Sequence, residues 1–268
     1  TITHSINIDR DMEAYVTLAT NDRYAISALV LGHSLRRVGT TKKLVVLITS
    51  DVSEDASKHL KSVYDEVSLV SPIDSGDTLS LALTKRPELG ITFTKLRCWR
   101  LTRFVKCVFL DADTLVLKSC DELFLRSELS AAPDIGWPDC FNSGVFVFEP
   151  SIETYNRLRE FALDNRSFDG GDQGLLNSFF SDWATKDITK HLSFLYNMTA
   201  SSTYTYSSAF KKFGKDVKIV HFLGDMKPWL RSHTVCTEDC QAVQGLFCPY
   251  KMWWEIYKKL VPLPIPTS

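Results

Sequence analysis

Short apolar runs alternate with polar, helix-spaced stretches through the first half of the chain, and their order predicts a layered α/β fold. Tyr15 to Leu18, Leu44 to Ile48, Val67 to Val70, Cys107 to Leu110 and Val145 to Phe148 have the length and composition of buried strands. Asp22 to Arg37 places apolar residues at helical spacing behind Asn21, whose side chain is suited to cap a helix. A further helix is expected near Thr94 to Arg103, and another over Ile152 to Ala162 after Pro150. Such alternation implies a mainly parallel, mixed sheet with helices on both faces. Gly170-Gly171-Asp172-Gln173-Gly174 marks a loop entering a helix at Leu175. Thr199 to Ser208, nearly all Ser, Thr and Tyr, is expected to be a surface loop. Val217 to Val220 reads as a last strand and Met252 to Leu260 as a closing helix before Pro262, Pro264 and Pro266. With no internal repeat and no linker, the expectation is one domain over residues 14–262, with tails at 1–13 and 263–268.

Composition narrows the class. At 268 residues and 44% hydrophobic content, the chain can bury roughly 70–75% of its unfolded surface. A net charge of -1 from 31 basic and 32 acidic residues argues against a general nucleic-acid or membrane-surface binder. Seven cysteines, an odd number, are spread along the chain, and no apolar N-terminal segment resembles a signal peptide, so reducing cytosol is expected. Apolar stretches such as Ala28 to Leu31 fall far short of the roughly 20 residues of a membrane span. In that compartment the sequons Asn165-Arg166-Ser167 and Asn197-Met198-Thr199 are chance matches. His233, Cys236, Cys240 and Cys248 loosely suggest zinc, but the paired C-x₂-C spacing is missing.

The sharpest chemical feature is Phe109-Leu110-Asp111-Ala112-Asp113. In an extended strand, residues two apart share a face at about 7 Å, so one cation can sit between their carboxylates. Strand ends of this kind are where α/β folds hold ligands, and two bare carboxylates at a core edge need a cation or an equivalent partner. Taken alone, the pair fits equally a metal site and a solvated turn ahead of Asp121-Glu122. A haloacid-dehalogenase-type phosphatase also uses Asp-x-Asp, but it needs Thr or Val where Leu115 stands.

With its neighbours, the pair resembles the glycogenin family, the self-glucosylating starters of glycogen within glycosyltransferase family 8. The resemblance runs from about Ala14 to Trp229. It rests on TLATNDRYA from Thr17, KRPELGITFTKLRCW from Lys85, VFLDADTLVL from Val108, GWPDCFNSGVFVFEPS from Gly136, FDGGDQG from Phe168 and VHFLG from Val220. It implies a GT-A type nucleotide-sugar-binding fold, UDP-glucose as donor, manganese (Mn2+) as cofactor and a tyrosine of the protein itself as first acceptor. Extension by α-1,4 links, retention of configuration, a homodimer and glycogen synthase as partner, through a C-terminal extension usual in that family, are implied with it.

The resemblance also assigns residues. Asp111 and Asp113 match the metal-binding pair and His221 the third metal ligand, where a lone histidine would otherwise read as a core residue. Leu18, Thr20, Asn21 and Tyr24 match residues that hold uridine; Tyr24 would otherwise simply face the core from its helix. Ala112, Arg86, Lys95, Gly224 and Lys227 match the donor-binding set around the diphosphate, although isolated basic residues are usually solvated. Asp169, Asp172 and Gln173, with Asn142 and Ser143, match the sugar pocket, where Asp172 is a candidate to stabilise the sugar cation; on position alone Asp172 is a helix cap. Tyr204 aligns with the glucosylated tyrosine, and Tyr196 and Tyr206 are the neighbouring alternatives. A binding protein that kept the fold and lost turnover is the competing non-catalytic reading.

Overall fold

The computed structural model describes residues 12–74, 87–164, 167–230 and 248–266, without the side chains of 87–91, 203 and 204. The chain opens with strand β1 (Glu13–Ala19) and helix α1 (Asp22–Arg37), whose first turn is capped by the Asn21 side chain accepting from the Tyr24 N–H. Strand β2 (Lys43–Ile48), helix α2 (Glu54–Lys61) and strand β3 (Glu66–Leu69) follow. After them come β4 (Lys106–Leu110), β5 (Thr114–Val116), β6 (Ser130–Pro133) and β7 (Phe141–Phe148). Helices α3 (Ile152–Asp164) and α4 (Asp172–Phe179) lead to strand β8 (Met198–Thr199). The chain continues through α5 (Ser202–Thr205), α6 (Ser207–Phe213), β9 (Ile219–His221) and α7 (Pro249–Leu260).

Among the described residues six strands form one sheet in the order β3-β2-β1-β4-β7-β6. The β1, β2, β3 and β4 pairings are parallel, while β7 runs antiparallel to β4 and β6. Side-chain alternation along each strand divides the core. Tyr15, Val108, Leu110, Val145 and Val147 face one layer with α1 and α7, and Val16, Cys107, Phe109, Phe146 and Phe148 face the other with Trp99, Leu158 and Leu175. Both faces are therefore covered, which explains the unbroken apolar runs. A small second sheet, β5-β9-β8, stands beside the first.

Two expectations change. The segment expected to be a helix over Thr94 to Arg103 forms instead a succession of 3-10 turns, Pro87–Arg100. Phe93, Thr94, Lys95 and Leu96 are all buried, as are Cys98 and Trp99. Such a stretch threads the interior rather than laying one apolar face against it. The Ser/Thr/Tyr-rich stretch expected to be a loop holds two short helices, α5 and α6, and the partly buried Phe210 packs onto the core from the second. Its polarity hid a helical turn that tertiary contact stabilises.

No helix among the described residues is long and apolar enough to cross a membrane. Cys98, Cys107, Cys120 and Cys140 are free, whereas Cys248 at the cap of α7 is disulfide-bonded and so offers no thiolate to zinc. His233, Cys236 and Cys240 lie outside the described residues, as does Asn165 of the first sequon. Asn197 of the second sequon is 4% exposed, which closes it to glycosylation in the folded state.

Candidate active site

Strands β1 and β4 run parallel and end at the same sheet edge, so the residues that follow them converge there. Asp111 and Asp113 follow β4 where it leaves the sheet, as expected, but not in the extended backbone that would set both side chains on one face. They lie in a turn after β4, closed by the Thr114 N–H and hydroxyl donating to the Asp111 carbonyl. Three other segments hold that turn. The Asp111 N–H donates to the Gly144 carbonyl at 2.8 Å, the Phe222 N–H to the Asp113 carbonyl at 3.0 Å, and the Ser27 hydroxyl to the Ala112 carbonyl at 2.7 Å. The register of β5 and β9 sets His221 opposite Thr114, one residue from Asp113.

Asp111, Asp113 and His221 each offer one donor atom within 4.8 Å of the others. His221 Nε2 is 3.2 Å from Asp113 Oδ1 and 3.9 Å from Asp111 Oδ2. Two carboxylate oxygens and an imidazole nitrogen form a donor set that fits a divalent cation of intermediate hardness. Burial pushes the Asp111 carboxyl up, and Asp113 and Asp172 add to that rise against the opposing pull of Lys95. Burial acts the same way on Asp113, but Lys227 and His221 outweigh it and hold that carboxyl well below the usual range.

Lys95 connects the acidic pair to Asp172 and Ser143. Its ammonium lies 2.9 Å from Asp111 Oδ1, 2.6 Å from Asp172 Oδ2 and 3.2 Å from the Ser143 carbonyl. Burial would lower its pKa, but the two carboxylates overcome this and keep it charged. The Ser143 hydroxyl donates to Asp172 Oδ2 at 2.8 Å. Asp172 is not the helix cap that its position suggests. Asp169 takes that work, its Oδ1 accepting from the N–H groups of Gly171 and Gly174 and from the Ser167 hydroxyl, which leaves the Asp172 carboxylate free to face the cavity.

These groups line a cavity of about 440 Å³. Leu18, Thr20, Asn21 and Tyr24 enter it from the end of β1 and the start of α1, and Asn142, Ser143, Asp169 and Gln173 from the opposite side. Ala112, Gly224 and Lys227 also line it, together with Asp111, Asp113 and His221. Gly224 has φ 69°, the left-handed region that favours glycine. Lys227 pairs with Asp113 and donates to the Phe222 carbonyl. Arg86 lies outside the described residues. Tyr204 lies on α5, but its side chain is not described.

Sequence reasoning passed over Asp134 and Thr92, which also line the cavity. Asp134 Oδ2 accepts from Asn142 and Gln173, while its Oδ1 accepts from the Gly136 N–H, a turn-forming bond that disguises it as a loop residue. The Thr92 hydroxyl accepts the Asp172 N–H and fixes the start of α4.

A methyl group on Gly144 would lie 2.2 Å from His221 Cε1 and 2.5 Å from His221 Nδ1. Gly144→Ala is therefore expected to displace the imidazole and to destabilise the fold by about 1–3 kcal/mol. Thermal melting checks the second effect and titration with a divalent cation the first.

A mixed, mainly parallel α/β sheet that brings an acidic pair, a histidine and a lysine-paired carboxylate around one cavity is an arrangement suited to a nucleotide-sugar-dependent glycosyltransferase of GT-A fold. A family model described as Glycosyl transferase family 8 matches residues 15–127 and 125–233. Glycogenin-1 of Homo sapiens is 62% identical over 250 residues, covering 91% of this chain and 71% of the relative. Glycogenin-1 of Mus musculus is 56% identical over 250 residues, covering 91% and 75%. The chain belongs to glycosyl transferase family 8 and, within it, to the glycogenins, which are glucosyltransferases. The fold agrees with that of the galactosyltransferase LgtC, crystallised with donor and acceptor sugar analogues. Its TM-score is 0.62 at 17% identity, over 94% of this chain and 97% of that one. The phosphatase and non-catalytic readings are set aside.

Proposed function

We propose that the chain, acting as one catalytic unit over residues 14–262, transfers glucose from UDP-glucose to its own Tyr204 with retention of configuration and then extends the product by α-1,4 links. The observation that carries this reading is the convergence of Asp111, Asp113 and His221 with the Lys95–Asp172 pair in one cavity. Asp111, Asp113 and His221 would hold the cofactor, and their mixed oxygen and nitrogen set suits Mn2+ better than calcium. When bound, that cation supplies Lewis-acid neutralisation of charge on the diphosphate.

The chain's own residues do the rest. Tyr24, Asn21, Thr20 and Leu18 border the uridine. Lys227, Gly224 and Ala112 border the diphosphate, with Arg86 assigned there by family alone. Asn142, Ser143, Gln173 and Asp169 shape the glucose side, and Asp172, paired with Lys95 at 2.6 Å, stands where positive charge develops on the sugar. A free phenol has a pKa near 10, so the acceptor tyrosine must pass its proton to a base or to the departing phosphate as its oxygen bonds to carbon.

A homodimer, glycogen synthase as partner and a cytoplasmic site of action are read from the family. Four free thiols favour a reducing compartment, and the Cys248 disulfide points the other way. Alkylation and mass analysis of protein drawn directly from cells decides between them.

Incubated with UDP-glucose and Mn2+, initially sugar-free protein is expected to show a ladder of hexose increments by intact mass. After removal of divalent cations by a chelator, the ladder should vanish and return with added Mn2+. A single unchanged mass in every condition would overturn the reading.

A further inference from the structure

His221 can present either ring nitrogen to a cation, and which one carries the proton is decided by what faces the other. A chain of buried amides starting at groups that have no choice of role settles this. The Gly144 backbone N–H can only donate, and it donates to Asn142 Oδ1 at 2.9 Å. At the other end of the same amide, Asn142 Nδ2 donates at 2.9 Å to a carboxylate oxygen of Asp134. Both contacts fix the Asn142 amide in one orientation. Its Oδ1 then accepts from Asn197 Nδ2 at 2.8 Å, which turns Asn197 Oδ1 toward His221 Nδ1 at 2.9 Å. An amide oxygen only accepts, so Nδ1 must carry a hydrogen.

Whenever the ring is neutral, the nitrogen left with a lone pair is therefore Nε2, which stands 3.2 Å from Asp113 Oδ1 and 3.9 Å from Asp111 Oδ2. A lone pair facing two carboxylates is repulsive unless a cation stands among them or the ring takes up a second proton, so a bound cation and a proton compete for Nε2. We propose that Asn197 is a positioning residue for His221: it holds Nδ1–H and so presents the Nε2 lone pair to the cation shared with Asp111 and Asp113. This rests on the metal reading above. Asn197 immediately precedes β8, whose pairing sets Thr199 beside His221, and it is 4% exposed. Its residue type alone hides the role, because Asn197-Met198-Thr199 looks like a sequon.

Partners that orient a metal-bound histidine commonly carry about 10- to 100-fold in metal affinity. In metal-free, 15N-histidine-labelled protein at mildly alkaline pH, long-range proton–nitrogen spectra are expected to show the Nδ1–H tautomer for His221, assigned with His221→Gln. The Nε2–H tautomer in this protein overturns the proposal without any change at position 197, and leaves the metal reading standing. Conversely, an Nδ1–H tautomer in protein that binds no divalent cation sinks the metal reading and leaves the ring's orientation intact. Asn197→Leu is expected to bind Mn2+ about 10- to 100-fold more weakly in the absence of donor. Asn197→Asp keeps an acceptor against Nδ1–H but loses the donor to Asn142 Oδ1, so it should restore only part of that loss. A folded Leu variant with parental Mn2+ affinity would refute the assignment.

Discussion

Replacing Tyr204 with Phe is expected to remove self-glucosylation altogether, so that intact mass stays at the unmodified value after incubation with UDP-glucose and Mn2+. The substitution keeps the ring and deletes only the oxygen that would bond to glucose. Donor breakdown by transfer to water should therefore continue, separating loss of the acceptor from collapse of the site. Tyr196 does not substitute for it: its hydroxyl donates to Glu122 at 2.6 Å, and burial together with that carboxylate holds its proton tightly. Tyr206 is the realistic competitor, 70% exposed and bordering a second, apolar cavity with Phe210 and Phe213. A ladder that survives Tyr204→Phe and disappears in Tyr206→Phe would move the acceptor to Tyr206.

Lys95→Met should damage both stability and turnover, because one ammonium pairs with two carboxylates at once. The Lys95 side chain is 5% exposed and that of Asp172 is 7%, while Asp111 keeps 29%. Stripping one partner from a buried pair typically costs about 3–5 kcal/mol. The lower end, about 3 kcal/mol, is expected here because Asp111 retains solvent contact. That corresponds to roughly a 6–10 °C fall in melting temperature for a chain of this size. Turnover should fall by about 10²-fold or more, since Asp172 loses the charge that holds it in place. Saturating Mn2+ should restore part of the stability by re-pairing Asp111. A variant that melts and turns over like the parent would show that the Lys95 contacts contribute little.

Much of this site was legible because its pieces are local. Thr20, Asn21, Asp111 and Asp113 each follow an apolar strand, and strand ends on one edge are where such sheets hold ligands. The Asp169-to-Gly174 loop was legible as a helix entrance, but the division of labour within it was not. Only the folded chain shows Asp169 capping while Asp172 turns to Lys95 and Ser143. Asp134 and Asn197 were passed over because each carries a plausible local explanation, a turn and a sequon. Their hydrogen-bonding partners lie up to 55 residues away. The helices α5 and α6 escaped notice because local polarity predicts a loop, and long-range packing overrode it.

Taken by itself, then, the order of apolar runs determined the parallel core of the sheet, and the aspartate pair with its family motifs determined the chemistry. Period-two burial and contiguous motifs are properties of a short stretch of chain, so they survive without coordinates. The tertiary structure alone decided which carboxylates Lys95 joins, why Gly144 must lack a side chain and which nitrogen of His221 faces Asp111 and Asp113. Those depend on distances between segments far apart in the chain, and no local spacing encodes them.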